Sequence, residues 1–249
     1  MRDLLTVVIP YRRNLSGLKR ALKAVEGWRV LVVDDSDAGL DLDVPRRRLG
    51  GGQGFSKAAN IGLEATKTPY ALLLNDDAVP LEDCLERLIH QSGLCGPLLV
   101  GPQGVESAGL RVRSWGRVVQ QRVPPSAGRV DALSGACIHM PAFVRFDEKF
   151  RHGSEDVELC LRLTRQGLTP ILVSEARCWH QGGATLSRRS PAARRHALSG
   201  QLRLWGRGWR QGVVLGLAVG QVLREGAGRE GLGALRAGWR DFWEEEEAV

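Results

Sequence analysis

The order of apolar and polar segments predicts an α/β fold: a mainly parallel central sheet flanked by helices, with a carboxyl-terminal helical extension. Three observations carry this. Short apolar runs alternate with amphipathic helical segments through roughly the first hundred residues. The three early runs each lead into a polar cluster, the place where strands of an open parallel sheet meet a ligand. Beyond Arg188 the composition shifts to arginine, tryptophan and glycine with uncharged helical stretches.

Taken in order, Leu4–Pro10 reads as a buried strand that its proline ends. Leu15, Leu18, Leu22 and Val25 share one face of a helix. Arg29–Val33 is a second strand, stopping at Asp34-Asp35. The glycine-rich turn Gly50–Gly54 leads into a helix through Lys57–Ala65, and Tyr70–Leu74 is a third strand ending at Asn75-Asp76-Asp77. Leu81–Ile89 is helical. Shorter strands follow at Leu98–Gly101, Arg117–Arg122 and Cys137–Met140, a region expected to complete the sheet and shape an acceptor pocket. A helix over Glu155–Gln166 is closed by Gly167, and Pro170–Val173 is a last strand. This divides the chain into a domain over 1–187 and a basic, tryptophan-rich helical extension over 188–249.

Composition bounds the function. Of 249 residues, 43% are hydrophobic and 25% charged, ordinary values for a globular protein. The net charge is +7, and thirty of the 35 basic residues are arginine, whose planar fork suits phosphates and anionic surfaces. Five widely spaced cysteines without a CxxC pair read as free thiols in a reducing compartment, against a disulfide scaffold or a zinc site. The apolar run Leu4–Ile9 is too short for the apolar core of a signal peptide, and no stretch reaches the roughly 18 apolar residues of a membrane span. The expected place is the cytoplasm, at most peripheral on the inner face of the membrane. Eight arginines and no acid between Arg188 and Arg224, with Trp205, Trp209, Trp239 and Trp243, favour an anionic membrane surface for the tail. The tail tryptophans packing onto the core is the alternative.

Several clusters have the chemistry for a site. Asp34 and Asp35 end the second strand, where a carboxylate accepts from a base N–H or a ribose hydroxyl, or else closes a turn. Asp76 and Asp77 directly follow apolar residues, and oxygen ligands suit Mg²⁺ or Mn²⁺; a solvated turn is the bland reading. Glu155 and Asp156 open a helix, where the helix dipole alone accounts for acids, or where a carboxylate is kept ionised to take a hydroxyl proton. His180 precedes Gln181-Gly182-Gly183, and that glycine pair followed by Arg188-Arg189 reads as a loop that closes over an anion. No GxGxxG follows the first strand, and no GxxxxGK[ST] pattern is present.

In order, the runs VVIPYRR, VLVVDDS, GGQGFSKAANIGL, YALLLNDDAVP, GSEDVELCLRLTRQG and CWHQGG resemble the family 2 glycosyltransferases with the GT-A nucleotide-binding fold, most closely the bacterial rhamnosyltransferase-like members. The resemblance covers roughly residues 4 to 187. It implies an inverting transfer of sugar from a UDP-, dTDP- or GDP-sugar donor to a hydroxyl of a saccharide or lipid-linked acceptor, in cell-surface polysaccharide or glycolipid synthesis. It implies that Pro10, Tyr11 and Arg12 line the nucleotide, that Asp34 or Asp35 contacts the base, and that Gly54, Lys57 and Asn60 lie near ribose and diphosphate. The family's DxD motif falls on Asn75-Asp76-Asp77, with asparagine in first place. Asp77 then holds the metal, and Asp76 contacts nucleotide or metal. Asp156, beside Glu155, is implied as the general base and His180 as the second metal ligand. The imidazole tilts the cofactor from Mg²⁺ towards Mn²⁺.

Other functions are set against this one. A sugar-1-phosphate nucleotidyltransferase places a glycine-rich loop after the first strand, where this chain has Pro10-Tyr11-Arg12. A non-catalytic nucleotide-sugar-binding relative would not need Asp77, Asp156 and His180 together. Nucleic-acid binding by the arginine-rich tail lacks a recognisable module, so no nucleic-acid partner is expected.

Overall fold

A computed structural model of the chain describes residues 2–114, 116–126, 128–150, 153–181, 190–205 and 208–246. Its elements are β1 (Leu5–Tyr11), α1 (Leu15–Ala24), β2 (Arg29–Asp34), β3 (Arg46–Arg48), α2 (Phe55–Ala65), β4 (Tyr70–Leu74), β5 (Ala78–Pro80), α3 (Cys84–Ile89), β6 (Cys95–Gly101), β7 (Gly104–Ser107), β8 (Leu110–Val112), β9 (Val118–Gln120), β10 (Cys137–Pro141), α4 (Glu155–Arg165), β11 (Ile171–His180), α5 (Pro191–Trp205), α6 (Trp209–Arg224) and α7 (Gly228–Glu246).

Among the described residues, nine strands form one sheet in the order β3-β2-β1-β4-β10-β6-β11-β5, with β7 paired to β6. Pairing is parallel from β3 to β4 and again between β6 and β11. Strand β10 runs antiparallel between β4 and β6, and β5 runs antiparallel to β11, so the sheet is mixed. β8 and β9 form a separate hairpin. The parallel half is the part that strand–helix alternation made visible. The antiparallel insertions come from short strands with no helix between them.

The central strands are buried on both faces, which is why they read as continuous apolar runs. One face, built on Val8, Val33, Leu73 and Ile138, receives α2 through Ala58, Ala59 and Leu63 and α4 through Val157, Cys160 and Leu163. The other, built on Val7, Ile9, Leu72 and Leu74, receives α1 through Leu18 and Ala21 and α3 through Leu85 and Leu88. Helix α2 lies so close that a methyl at Gly62 would overlap the Val8 side chain.

Helices α5 to α7 close around their own apolar cluster of Leu198, Leu202, Val214, Val222, Leu235 and Phe242. Trp205, Trp239 and Trp243 pack against that cluster, and the Trp205 indole donates to the Gly116 carbonyl at 2.9 Å, while Trp209 is exposed. Among the described residues no helix is long and apolar enough to cross a membrane. All five cysteines are unpaired, buried thiols.

Candidate active site

The polar ends of β1, β2 and β4 meet along one edge of the sheet, as adjacent parallel strands require. Asp34 is 1% exposed. Its Oδ1 accepts from the Ser36 amide at 3.0 Å and the Ser36 hydroxyl at 2.5 Å, and its Oδ2 accepts from the Leu40 amide at 2.7 Å. Burial pushes its carboxyl up, but the bonds from Ser36 and Leu40 outweigh this and hold it below its usual value. Asp34 therefore closes the loop after β2. Asp35 accepts from the Gln53 and Gly54 amides at 3.0 and 3.3 Å, and so fastens the glycine turn. That turn needs glycine: Gly50, Gly51, Gly52 and Gly54 all have positive φ, between 69 and 102°.

Tyr11 is buried, and burial, with the charges of Asp76 and Asp34, raises its phenol. Arg12 lies against Gly52. Pro10 sits in β1 opposite Val33. Asp76 accepts from the Arg12 and Asn14 backbone amides, which ties the end of β4 to the loop after β1. Burial, then the neighbouring Asp77, pushes its carboxyl up to about 7.

Asp77 and His180 are brought together by strand register. Ala78, the next residue after Asp77, pairs with His180 across the antiparallel β5–β11 ladder. His180 Nε2 then stands 3.2 Å from Asp77 Oδ1, with both side chains nearly buried. On the far side of the ring, Nδ1 bonds to Glu106 Oε2 at 2.9 Å. Burial pushes the imidazole down, yet the bonds to Asp77 and Glu106 prevail and hold it up at about 9. Glu106 was not legible beforehand: it lies in β7, in a stretch without a motif, and reaches His180 only because β7 and β11 flank the end of β6. At Gly101 an added Cβ would lie 3.2 Å from the His180 carbonyl oxygen, so a small residue there lets the pair nest.

The Asp77–His180 pair fits a divalent cation. Two donors at about 2.1 Å and a right angle from one ion stand about 3 Å apart, close to the separation seen. A carboxylate behind an imidazole ligand is the usual orienting arrangement at a metal, and an ion bound here would replace the proton shared between Nε2 and Asp77. Among the described residues no group of three or more His, Cys, Asp or Glu side chains is arranged to hold a metal, and Asp77 and His180 supply two donors.

Glu155 and Asp156 open α4 after two left-handed residues, Gly153 (φ 89°) and Ser154 (φ 70°). Ser154 is the N-cap but makes no side-chain capping bond. Asp156 Oδ2 accepts from the Gly135 amide at 2.9 Å and its Oδ1 from the Val157 amide at 2.8 Å. Glu155 Oε2 is buried without a hydrogen-bond partner among the described residues. Burial raises both carboxyls, and the Asp156 charge helps to push Glu155 up to about 8. Gly135 and its neighbour Ala136 join the two acid clusters, since Ala136 accepts from the Asn75 amide at 2.9 Å.

Two residues expected near the nucleotide also have protein partners. The Asn60 amide group donates to the Phe146 carbonyl and Glu148 at 3.0 Å and accepts from the Phe146 amide at 2.8 Å, so it clamps that loop. Lys57 bonds to Gln53 at 3.1 Å across the turn that Gly54 ends. Gly182, Gly183, Arg188 and Arg189, read as a closing loop, lie outside the described residues.

Residues 6–93 match the sequence profile described as Glycosyl transferase family 2. The pre-mycofactocin glycosyltransferase of Mycobacterium tuberculosis is 32% identical over 187 residues, covering 65% of this chain and 39% of the relative. The chain thus spans less than half the length of the curated relatives it matches. Among solved structures, GalNAc-T7 with UDP, GalNAc and Mn²⁺ superposes with a TM-score of 0.61 at 15% identity over 80% of this chain and 47% of that one. The mannosyltransferase PcManGT from Pyrobaculum calidifontis, in complex with GDP-Man and Mn²⁺, gives 0.55 at 13% identity over 97% of this chain and 85% of that one. The mixed sheet with its flanking helices is the fold of these neighbours, and the profile match falls on its first strands.

Proposed function

We propose that this chain is an inverting glycosyltransferase that moves a sugar from a nucleoside-diphosphate donor to an acceptor hydroxyl. The supporting observation is a pair of acid clusters built for different work: Asp77 3.2 Å from His180, and Asp156 held by Gly135, joined through residues 135 and 136. Asp77 and His180 would hold Mn²⁺ or Mg²⁺, which supplies charge neutralisation for a leaving diphosphate. Glu106 fixes the imidazole so that Nε2 faces Asp77. Asp156 takes the proton of the acceptor hydroxyl. The acceptor oxygen bonds to the anomeric carbon as the bond from that carbon to the diphosphate oxygen breaks, with attack from the opposite side, so configuration inverts. Glu155, its carboxyl raised to about 8, keeps its proton at neutral pH and leaves the single charge of the pair to Asp156. Tyr11, Arg12 and the Asp35-fastened glycine turn flank the nucleoside side.

The finer readings belong to the same proposal: a rhamnosyltransferase-like preference, and a saccharide or lipid-linked acceptor in cell-surface polysaccharide or glycolipid synthesis. A transferase domain over 1–187 and an extension over 188–249 are supported by the separate apolar cluster of α5 to α7. A cytoplasmic place on the inner membrane face is supported by the exposed Trp209 and Leu223 on α6 with Arg210 and Arg224. Equal sedimentation with anionic and neutral vesicles would rule that out.

Titration calorimetry with UDP, dTDP and GDP, with and without Mn²⁺, tests the site. We expect Mn²⁺ to tighten binding of one of these by about tenfold or more, about 1.4 kcal/mol. That gain should be nearly absent in Asp77→Ala and reduced in His180→Ala. Equal affinity with and without metal in both wild type and Asp77→Ala would leave Asn75-Asp76-Asp77 as only a turn.

A further inference from the structure

A cleft of about 270 Å³ lies between the loop after β1 and the carboxyl-terminal helices, and its lining is basic. Arg12 reaches it from the sheet side, while Arg195, His196 and Arg203 of α5 face it together with Ser199 and with Asp241 of α7. Three arginines and a histidine thus meet one acid. Asp241 is held by Arg195 at 2.5 and 2.6 Å, and Arg203 donates to the Ser199 hydroxyl at 2.7 Å and the Asp241 carbonyl at 3.1 Å. These bonds fix the guanidinium groups in place, so the charge is preorganised rather than spread on mobile surface side chains. Among the described residues, buried Arg12 Nε has no hydrogen-bond partner. A buried donor without an acceptor costs free energy unless something fills the place.

The position of the cleft says what it serves. Helix α5 is pressed against the turn before α4: a methyl at Gly200 would overlap the Gly153 carbonyl oxygen, and one at Gly153 would lie 3.6 Å from His196 and Ala197 backbone. Gly153 precedes Ser154, Glu155 and Asp156 directly. Whatever occupies the cleft is therefore beside the proposed base, between it and the nucleoside side, where Arg12 and Gly52 of the glycine turn also line it. The Asp77–His180 pair is backed instead by Glu106, on β7.

We propose that this cleft is an acceptor subsite for an anionic group, so that the acceptor is an acidic or phosphorylated saccharide rather than a neutral one. The inference rests on the transferase reading and gives its acceptor a chemical class. Residues of α5 then select the acceptor, and the extension is part of the active site.

Three probes that share one sugar ring test this: glucose 6-phosphate, glucuronate and glucose, each titrated by calorimetry into the full chain saturated with its nucleoside diphosphate and Mn²⁺, with matched blanks. At least one of the two anions should bind and glucose should not; which anion binds better separates a phosphate from a carboxylate source. Arg203→Gln should weaken the anion by about tenfold, with nucleotide affinity kept within about twofold. Arg203→Lys, which keeps the charge, should retain most of the binding, and this guards against a variant that merely unsettles α5. Binding of neither anion, equal binding of glucose, or unchanged binding in Arg203→Gln would overturn the subsite. So would displacement of the anion by nucleotide, because the cleft would then be the donor's own diphosphate seat. If no nucleotide binds in any condition, the transferase reading fails by itself. The anion titrations on the nucleotide-free chain then judge the cleft by the same criteria.

Discussion

Two acid clusters face each other across residues 135 and 136, and they are built in opposite ways. Asp77 ends a strand, is placed by sheet register, and stands against an imidazole that a second carboxylate supports. Glu155 and Asp156 open a helix after two left-handed residues, with no cationic side chain bonded to either among the described residues, and burial raises both. The same residue types therefore do different chemistry. An acid paired with imidazole suits holding a cation, whereas a crowded pair that shares its charge suits taking up a proton. Left-handed geometry at Ser154, a residue with a side chain, is a local strain of the kind that collects at working sites.

The largest expected effect lies on the helix side. Asp156→Asn keeps an oxygen for the Gly135 amide, so the turn should stay, while the group that takes the proton is lost. We expect transfer to fall by about 10²–10⁴, with affinity for nucleotide and Mn²⁺ unchanged within a few fold. Turnover close to wild type in this variant would move the base to Glu155 and erase the contrast between the clusters.

A smaller effect sharpens the strand side. Glu106→Gln leaves a hydrogen-bond acceptor beside His180 Nδ1 but removes the charge that supports it. Losing such an orienting partner typically costs about 10–100-fold in metal affinity, and we expect that loss in Mn²⁺ titrations with nucleotide present. Nucleotide binding without metal should not change. If metal affinity stays constant, Glu106 is only packing against the ring.

Much of this was legible in the sequence, for a physical reason. Where an apolar strand stops at acids, as at Leu74 or Val33, the end of a buried strand and a polar site coincide within a few residues. His180 was legible through its surrounding motif. Its partner Glu106 was not, nor was β5, because both depend on pairings between segments far apart in the chain that leave no local period. β5 has only three residues, too few to show a period, and the helix expected over Leu81–Ile89 begins at Cys84. The basic cleft was hidden for another reason. Arg195, His196 and Arg203 read as a charged tail until α5 is seen against Gly153. Asn60 carries a contact that its motif did not announce, since it also clamps the Phe146 loop.

The smallest expected effect is on stability, and its sign separates the clusters without any substrate. Glu155 titrates near 4.5 when unperturbed and near 8 in the fold, because burial and the Asp156 charge disfavour its ionised form. Between those two values the folded state binds more protons than the unfolded chain. Stability due to this group is therefore fully present below the unfolded value and is lost as pH rises through the folded one. Glu155→Gln removes the titration while keeping shape. Its melting temperature should gain on wild type by several degrees as pH is raised from 5 to 8. His180 carries its own pH dependence, but that is common to both proteins and cancels in the difference. Parallel melting curves for the two proteins across this range would mean that Glu155 is ionised in the fold. Asp156 would then not be the single charge at the start of α4.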